Sequence, residues 1–389
     1  MRVLFVSCDS GGAVTLYRCT HLASALQSVG NTAEVTTIYQ PVIELNHDVV
    51  VLHRICANEE GQALADAVRK SGATLIYGAD DLVWEASSIS SRNVVISPGS
   101  CLAVPSSPVA PSSREEGLAC LHLAMLQQAD GVLVSTNALA EFAGEAGASG
   151  VAVIRNTRLW RQSLSLHSFP EKLWAKHCPV QEGTHFTILY PAGTATHDTD
   201  LAEVAPALKI ILEHFPQVRL VLIGPVTVPE ILLPFASVIA RVPLLKMDQY
   251  LAAVSCADVV IAPLAPNRFN QGKSELKWLE AGSWAKPTLA SKWGGFSEAI
   301  REGENGLLAD TTEEWVAKLT RLIEDEVLRN SLGTAARQYQ RFDWSTTQTL
   351  TEVPFLNWRQ NKTIQPTRFV NPRGFVKGKV KSVLRRLKA

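Results

Sequence analysis

A chain of 389 residues that is 46% hydrophobic and 19% charged holds more apolar material than one core usually serves, so two globular domains are expected and global disorder is excluded. Its formal charge is zero, yet eight bases and no acid follow Gln365, which leaves 29 bases against 37 acids before that point. An acidic body disfavours nucleic acid as a partner.

The first strand, VLFVS (3–7), is too short for a signal peptide or a membrane span, so the amino terminus is expected in a core. Helical and extended patterns then alternate: a helix over 18–29, the strand DVVVLHR (48–54), a helix over 60–71, the strand ATLIYGADD (73–81), a helix over 115–128 and the strand GVLVST (131–136). Alternation of this kind predicts βαβ units on a parallel sheet. Residues 86–113, rich in Ser, Pro and Val, carry no helical period and are expected to form a surface insertion. Periodicity lapses again over 174–183, as in a linker. A second series runs through FTILYPAG (186–193), a helix over 201–214, VRLVLIG (218–224), a helix over 249–255, DVVIAPL (258–264), a helix from 274, PTLAS (287–291) and a helix over 313–324. The expected fold class is therefore α/β: two Rossmann-like, doubly wound domains, over 1–180 and 184–345, facing a cleft lined by the carboxyl ends of both sheets. The seven cysteines are scattered and form no CxxC pair, which points to a reducing compartment and packed thiols, with neither zinc nor a disulfide framework.

The most informative stretch is FNQGKSELKWLEAG (269–282). Ser274 is expected to cap a helix whose Leu276, Leu279 and Trp284 face the sheet, and Lys273, Lys277 and Glu280, spaced by four and three, share one face at its amino end. Backbone N–H groups, the positive end of the helix dipole and two ammonium groups suit a pyrophosphate, while a carboxylate suits the vicinal hydroxyls of a ribose. The same three residues would also serve as a solvated face with an internal ion pair, which contributes only about 0.3–0.5 kcal/mol.

KSELKWLEAGSWAKPTLAS (273–291), followed by GGFSEAIREGENGLL (294–308), resembles the carboxyl-terminal signature of family 4, or group 1, retaining glycosyltransferases. The resemblance implies the GT-B architecture and transfer of a sugar, with retention, from a nucleotide-diphosphate donor to a glycan or lipid-linked acceptor. It places Glu280 on the donor ribose. The family's first paired glutamate falls at Gly272, so Asn270 or Gln271 would take the donor sugar's hydroxyls. The Arg and Lys that usually hold the diphosphate fall at Thr194 and Thr199, within GTATHDTD (193–200). That segment resembles a divergent branch from bacterial polysaccharide clusters, with G-T-x-T-H-x-x-D and K-S-x-x-K-x-x-E together. On this reading Gly193 permits close backbone approach, Thr194, Thr196 and His197 donate hydrogen bonds, and Lys273 inherits the positive charge.

In the amino half, Gly11 and Gly12 precede a helix with Tyr17 and Arg18 but lack the spacing of a dinucleotide fingerprint; the resemblance implies that this turn, with Gly11, Gly12 and Arg18, approaches the donor phosphate and lies on the acceptor side. His53, Arg54, Asp80 and Asp81 close two strands and are expected at one sheet edge, where the resemblance places the acceptor; the 86–113 insertion would be a plain loop or a lid over it. The transition state resembles an oxocarbenium ion, so stabilising the departing diphosphate matters more than a strong base. Lys273 is the candidate for that role, Asp81 for positioning or deprotonating the acceptor, and His197 is a third catalytic candidate. Neither metal nor cofactor is expected. RFDWSTTQTL (341–350) resembles the family's closing helix, which would cross back to the amino domain over 346–365. Over 366–389, Arg368, Arg373, Lys377, Lys379, Lys381, Arg385, Arg386 and Lys388 alternate with an apolar stripe, as in a basic amphipathic tail on an anionic membrane, or else a solvated extension. The expected location is cytoplasmic and peripheral on the membrane's inner face. An inactive nucleotide- or glycan-binding partner and a sugar-nucleotide epimerase are the competing readings.

Overall fold

Short β-branched runs alternating with helices give two parallel sheets in the computed structural model, which describes residues 1–9, 12–85, 114–157, 186–193, 197–358 and 367–370. The expected insertion at 86–113, the linker at 174–183 and the tail beyond 370 lie outside the described residues. The chain divides into two compact units, one holding residues up to Ile154 together with those from Thr347, the other holding Arg155–Thr346.

In the first unit, β1 (Arg2–Ser7), β2 (Thr32–Thr37), β4 (Val49–His53), β5 (Thr74–Ala79), β6 (Gly131–Val134) and β7 (Val151–Val153) form one parallel sheet in the order β2-β1-β4-β5-β6-β7. Strand order reverses between β1 and β4, where Ser7 lies opposite His53. The helix over 13–28 was expected to begin at Arg18; it begins at Ala13 and runs through a π-helical turn, Leu16–Thr20. A helix over Glu59–Ser71 starts at Asn58, whose side chain accepts from Gly61 N at 2.8 Å, and ends at Gly72 in the left-handed conformation (φ 81°). Both ends are thus closed by residues suited to them. Val3, Phe5, Val49, Val51, Ile76 and Leu133 pack the sheet's core with Phe355, near the end of the long helix Glu326–Trp358. Outside the main sheet, β14 (Thr367–Val370) pairs antiparallel with β3 (Val42–Leu45). Strands β2, β3, β7 and β14 are too short or too polar to show a clear period in sequence.

The second unit repeats the plan with β8 (Phe186–Pro191), β9 (Val218–Ile223), β10 (Ile239–Val242), β11 (Val259–Ala262), β12 (Thr288–Ser291) and β13 (Leu307–Ala309) in the order β10-β9-β8-β11-β12-β13. All pairings are parallel, and the reversal lies between β8 and β11. Ile188, Leu220, Leu222, Ile261, Leu289 and Leu319 are fully buried or nearly so within its core. No helix among the described residues is long and apolar enough to cross a membrane. Of the cysteines described, Cys19 and Cys56 are packed as expected, whereas Cys120 and Cys256 are exposed.

Candidate functional site

In open α/β sheets, ligands bind beyond the carboxyl ends of the strands at the point where strand order reverses. In the second unit that point is bounded by the segments after β8 and after β11, and a single carboxylate joins them. Asp200, 1% exposed, receives His197 Nδ1 on Oδ2 at 2.8 Å. Its Oδ1 accepts from Ala265 N at 2.9 Å and from Asn270 Nδ2 at 2.7 Å. Burial alone would raise the pKa of Asp200, but the His197 and Lys277 partners and the Ala265 N–H hold it below the ordinary value. His197 stands at the N-cap of the helix Asp198–His214, where the Tyr190 hydroxyl donates to its carbonyl at 3.1 Å. Burial first, and then the charge of Lys277, push its imidazole down to about 4. Asn270 was expected to reach donor hydroxyls. Its amide nitrogen is instead engaged inside the protein, on Asp200 and on the Ala265 carbonyl at 2.9 Å.

Lys273 stands in the turn before the helix Leu276–Ser283, its Nζ 4.4 Å from the Phe269 ring centroid. Lys277 lies on the first turn of that helix, Nζ 4.9 Å from the centroid of Tyr190. Burial, reinforced by Lys273, lowers its ammonium to about 8 despite Asp200 and Glu280 nearby. Glu280, 6% exposed, accepts a 2.6 Å hydrogen bond from the Tyr250 hydroxyl. The structure therefore gathers Lys277, His197 and Asp200 around the chain after β8, with Lys273 and Glu280 one turn away on either side of Lys277.

A further expectation for this stretch changes. Ser274 does not cap the helix: Glu275 holds the cap position without a side-chain bond, and Ser274 Oγ instead accepts from Asn156 Nδ2 at 2.9 Å. The side chain that anchors the helix is Trp278, 2% exposed, whose Nε1 donates to the Asn305 carbonyl at 2.9 Å; Leu279 is also buried, while Leu276 and Trp284 are only partly so. Glu275 is buried and paired with Arg155 at 3.1 Å, which also reaches Glu298 at 2.7 Å. Thr194 and Thr196 lie outside the described residues. Among the described residues, space beside Gly193 is open, since a Cβ there would meet none of their atoms within 4 Å. Gly294, by contrast, is required: its φ of 58° and ψ of −149° suit glycine alone, and a Cβ would lie 2.7 Å from the Asn270 carbonyl.

In the first unit, His53, Arg54, Asp80 and Asp81 do meet at the carboxyl edge of β4 and β5. Arg54 Nε donates to Asp80 Oδ1 at 2.5 Å, its Nη2 bonds Asp81 Oδ2, and His53 Nε2 lies 3.2 Å from the same Asp80 oxygen. Burial opposes ionisation of Asp80, yet Arg54 and His53 hold it well below the usual carboxylate range; burial lowers the pKa of His53, against the pull of Asp80. Arg54 takes a positive φ of 52°, a conformation that a non-glycine residue holds at a cost, here offset by its two carboxylates. Arg18 is drawn away from any ligand role of its own, 1% exposed and donating to the Ile154 carbonyl at 2.7 Å and the Val134 carbonyl at 3.2 Å. Gly12 is fixed by Asp9, whose Oδ2 accepts its N–H at 2.8 Å and leaves no room for a Cβ; Gly11 lies outside the described residues.

Sequence reasoning missed Asp200 and Tyr250. The first stood as the last letter of the quoted GTATHDTD motif; the second gives no local signal, because its partner lies 30 residues away.

Residues 186–325 match the family model described as Glycosyl transferases group 1. They form a group 1 glycosyl transferase domain. Within it sit Asp200, His197, both lysines, Tyr250 and Glu280. The D-inositol 3-phosphate glycosyltransferase of Arthrobacter sp. (strain FB24) is 36% identical over 98 residues, 24% of this chain and 22% of that relative; the chain thus matches under a quarter of that relative's length. Among solved structures, Anabaena HepE in complex with UDP-glucose is 16% identical, with a TM-score of 0.59 over 92% of this chain and 100% of that one. A glycosyltransferase from Rickettsia africae is 14% identical, with a TM-score of 0.60 over 93% and 99%. These likenesses establish the fold: the group 1 domain belongs to a GT-B chain of two Rossmann-like units.

Proposed function

We propose that the protein is a glycosyltransferase that moves a sugar, with retention, from a nucleotide-diphosphate donor to a glycan or lipid-linked acceptor in cell-surface polysaccharide synthesis. The observation that carries this reading is the convergence of Lys277, Lys273 and Glu280 with the Asp200-tied His197 at the switch point of the group 1 domain's sheet. Two ammonium groups at one helix terminus suit a diphosphate, and Glu280 suits vicinal ribose hydroxyls. In the reaction, the bond from the anomeric carbon to the diphosphate oxygen breaks and the acceptor's hydroxyl oxygen takes its place, its proton passing to the departing diphosphate. The lysines stabilise the charge that develops on the departing diphosphate, the largest demand in such a transition state. No metal is invoked for that charge.

The His53–Arg54–Asp80–Asp81 cluster of the first unit is assigned to the acceptor. Asp80 and Asp81 both bind Arg54, and Asp81, whose side chain is the more exposed of the two at 19% against 11%, is assigned to orient a hydroxyl. The basic tail is assigned to the inner face of an anionic membrane, where a lipid-linked acceptor would lie. UDP-sugars are the first donors to try, because HepE was crystallised with UDP-glucose. The test is a screen of nucleotides and nucleotide sugars by calorimetry, followed by assay of donor turnover with and without lipid and glycan acceptors. Binding of a nucleotide sugar that Lys277→Ala and Glu280→Gln both weaken supports the reading; turnover of donor without any acceptor would favour an epimerase, and no binding at all would overturn the assignment.

A further inference from the structure

We propose that His197 accepts, and does not donate, its ligand hydrogen bond, and that it thereby reads a hydroxyl group of the nucleotide sugar held by Lys277. This inference rests on the donor-site reading above and gives it a specificity element. An ionised carboxylate can only accept. Both donors on Asp200 Oδ1, the Ala265 N–H and the Asn270 amide, leave Oδ2 to the imidazole, so the proton of His197 sits on Nδ1. With the ring neutral, Nε2 is then a lone pair. The ring is held edge-on to Tyr190 at 6.5 Å and its side chain is 12% exposed; among the described residues no side chain bonds Nε2.

A phosphate oxygen has no hydrogen to give that lone pair, and its negative charge would be repelled by it. A hydroxyl has one. The site therefore combines two ammonium groups that call for anionic oxygens with one acceptor that calls for an O–H. Inorganic pyrophosphate satisfies only the first demand, whereas a sugar nucleotide satisfies both. The hydroxyl comes from the transferred sugar or from the ribose, which share this chemistry. Asp200 acts through His197 and is a positioning residue.

The geometry supplies a sharp test in the full-length chain. In Asp200→Asn the carbonyl oxygen stays with its two N–H donors, so the amide nitrogen faces Nδ1 and drives the imidazole proton to Nε2. Calorimetry with UDP-glucose, UDP, 2′-deoxy-UDP, 3′-deoxy-UDP and inorganic pyrophosphate is expected to show His197→Phe weakening UDP-glucose roughly 3- to 10-fold, the worth of one neutral hydrogen bond, with pyrophosphate unmoved. Asp200→Asn is expected to tighten inorganic pyrophosphate relative to UDP-glucose, because a donor at Nε2 suits an anionic oxygen that the lone pair rejected, whereas a hydroxyl can meet either a donor or an acceptor. If His197→Phe spares UDP, the hydroxyl belongs to the sugar; if UDP weakens but one deoxy-UDP does not, it belongs to the ribose. Imidazole nitrogen NMR on the wild type should place the proton on Nδ1, and in folded Asp200→Asn on Nε2. A wild-type proton on Nε2, or equal losses for pyrophosphate and UDP-glucose in His197→Phe, overturns the inference while leaving the donor reading intact. Should no ligand bind the wild type, both fall together; should Asp200→Asn not fold, the His197→Phe series and the wild-type spectrum decide alone.

Discussion

Tyr250 donates its hydroxyl to Glu280 Oε2 at 2.6 Å, so the carboxylate assigned to the ribose is aimed by a side chain from a different helix, Met247–Ser255. Removing only that hydroxyl, in Tyr250→Phe, leaves the ring packing in place and takes away one of the bonds that hold Glu280. The expected result is a loss of nucleotide affinity of roughly 3- to 10-fold, the equivalent of one hydrogen bond, with pyrophosphate binding unchanged. Calorimetry with the two ligands side by side checks it, and a parallel loss for pyrophosphate would count against a ribose role.

Lys277 gives the site a pH dependence of definite sign. Its folded value of about 8 lies below the ordinary 10.5, so the group is mostly charged at neutral pH and loses its proton as pH rises through about 8. Diphosphate affinity should fall over that interval, by an amount set by one charge-assisted bond of about 1.5–3 kcal/mol. In the unliganded chain the linkage runs the other way. Between about 8 and 10.5 the unfolded state holds more protons, so this group's cost to stability is fully present below 8 and is relieved as pH rises. Lys277→Arg should flatten the affinity profile; an identical profile in that variant would show that another group titrates.

Arg54 neutralises Asp80 at a largely buried position, and removing it leaves that carboxylate without its main partner. Arg54→Ala should cost about 3 kcal/mol of stability at pH 7 by denaturant titration. Because the folded Asp80 value is depressed, its contribution is fully present above the unfolded value near 3.8 and is lost as pH falls toward the folded one. The wild type should therefore lose more stability on acidification below about pH 4 than the variant does.

Gly294 presses its backbone on the Asn270 carbonyl, in the loop that also carries Lys273. Gly294→Ala should destabilise by about 1–3 kcal/mol through backbone strain, and should lower donor affinity as the Asn270–Lys273 turn shifts. Thermal melting and UDP binding measured on the same preparation check both parts. Full donor affinity in a destabilised variant would mean that this turn does not shape the site.

The fold was legible because period is local: DVVVLHR, FTILYPAG and DVVIAPL each declare a buried parallel strand within seven or eight residues. Polar ends of strands were legible too, and His53, Arg54, Asp80 and Asp81 meet as their positions predicted. What sequence concealed was who satisfies whom. The Asn270 amide nitrogen looked available for a ligand and is instead engaged by Asp200; nothing local announced that the same carboxylate holds His197 Nδ1. Ser274 had the composition of a cap, yet Asn156 takes its hydroxyl from more than 100 residues upstream. Each of these depends on a contact between segments that propensity cannot see.

The basic tail leads to the last prediction, and the structure fixes how it must be tested. A truncation at Gln365 would remove β14, whose Phe369 is buried and whose Arg368 pairs with Glu44 at 2.9 Å, so it would damage the fold as well as the charge. The cut belongs after Val370. It removes seven bases, Arg373, Lys377, Lys379, Lys381, Arg385, Arg386 and Lys388, and keeps the strand. Each base near an anionic surface contributes about 1 kcal/mol, falling off within a Debye length of about 8–10 Å in physiological salt. The full chain should therefore co-sediment with vesicles containing phosphatidylserine, release as salt is raised, and ignore purely zwitterionic vesicles. The version ending at Val370 should stay in the supernatant throughout, with unchanged nucleotide binding as the control for folding. Equal sedimentation of the two versions would place any membrane contact elsewhere on the chain, and indifference of the full chain to lipid charge would reduce the tail to a solvated extension.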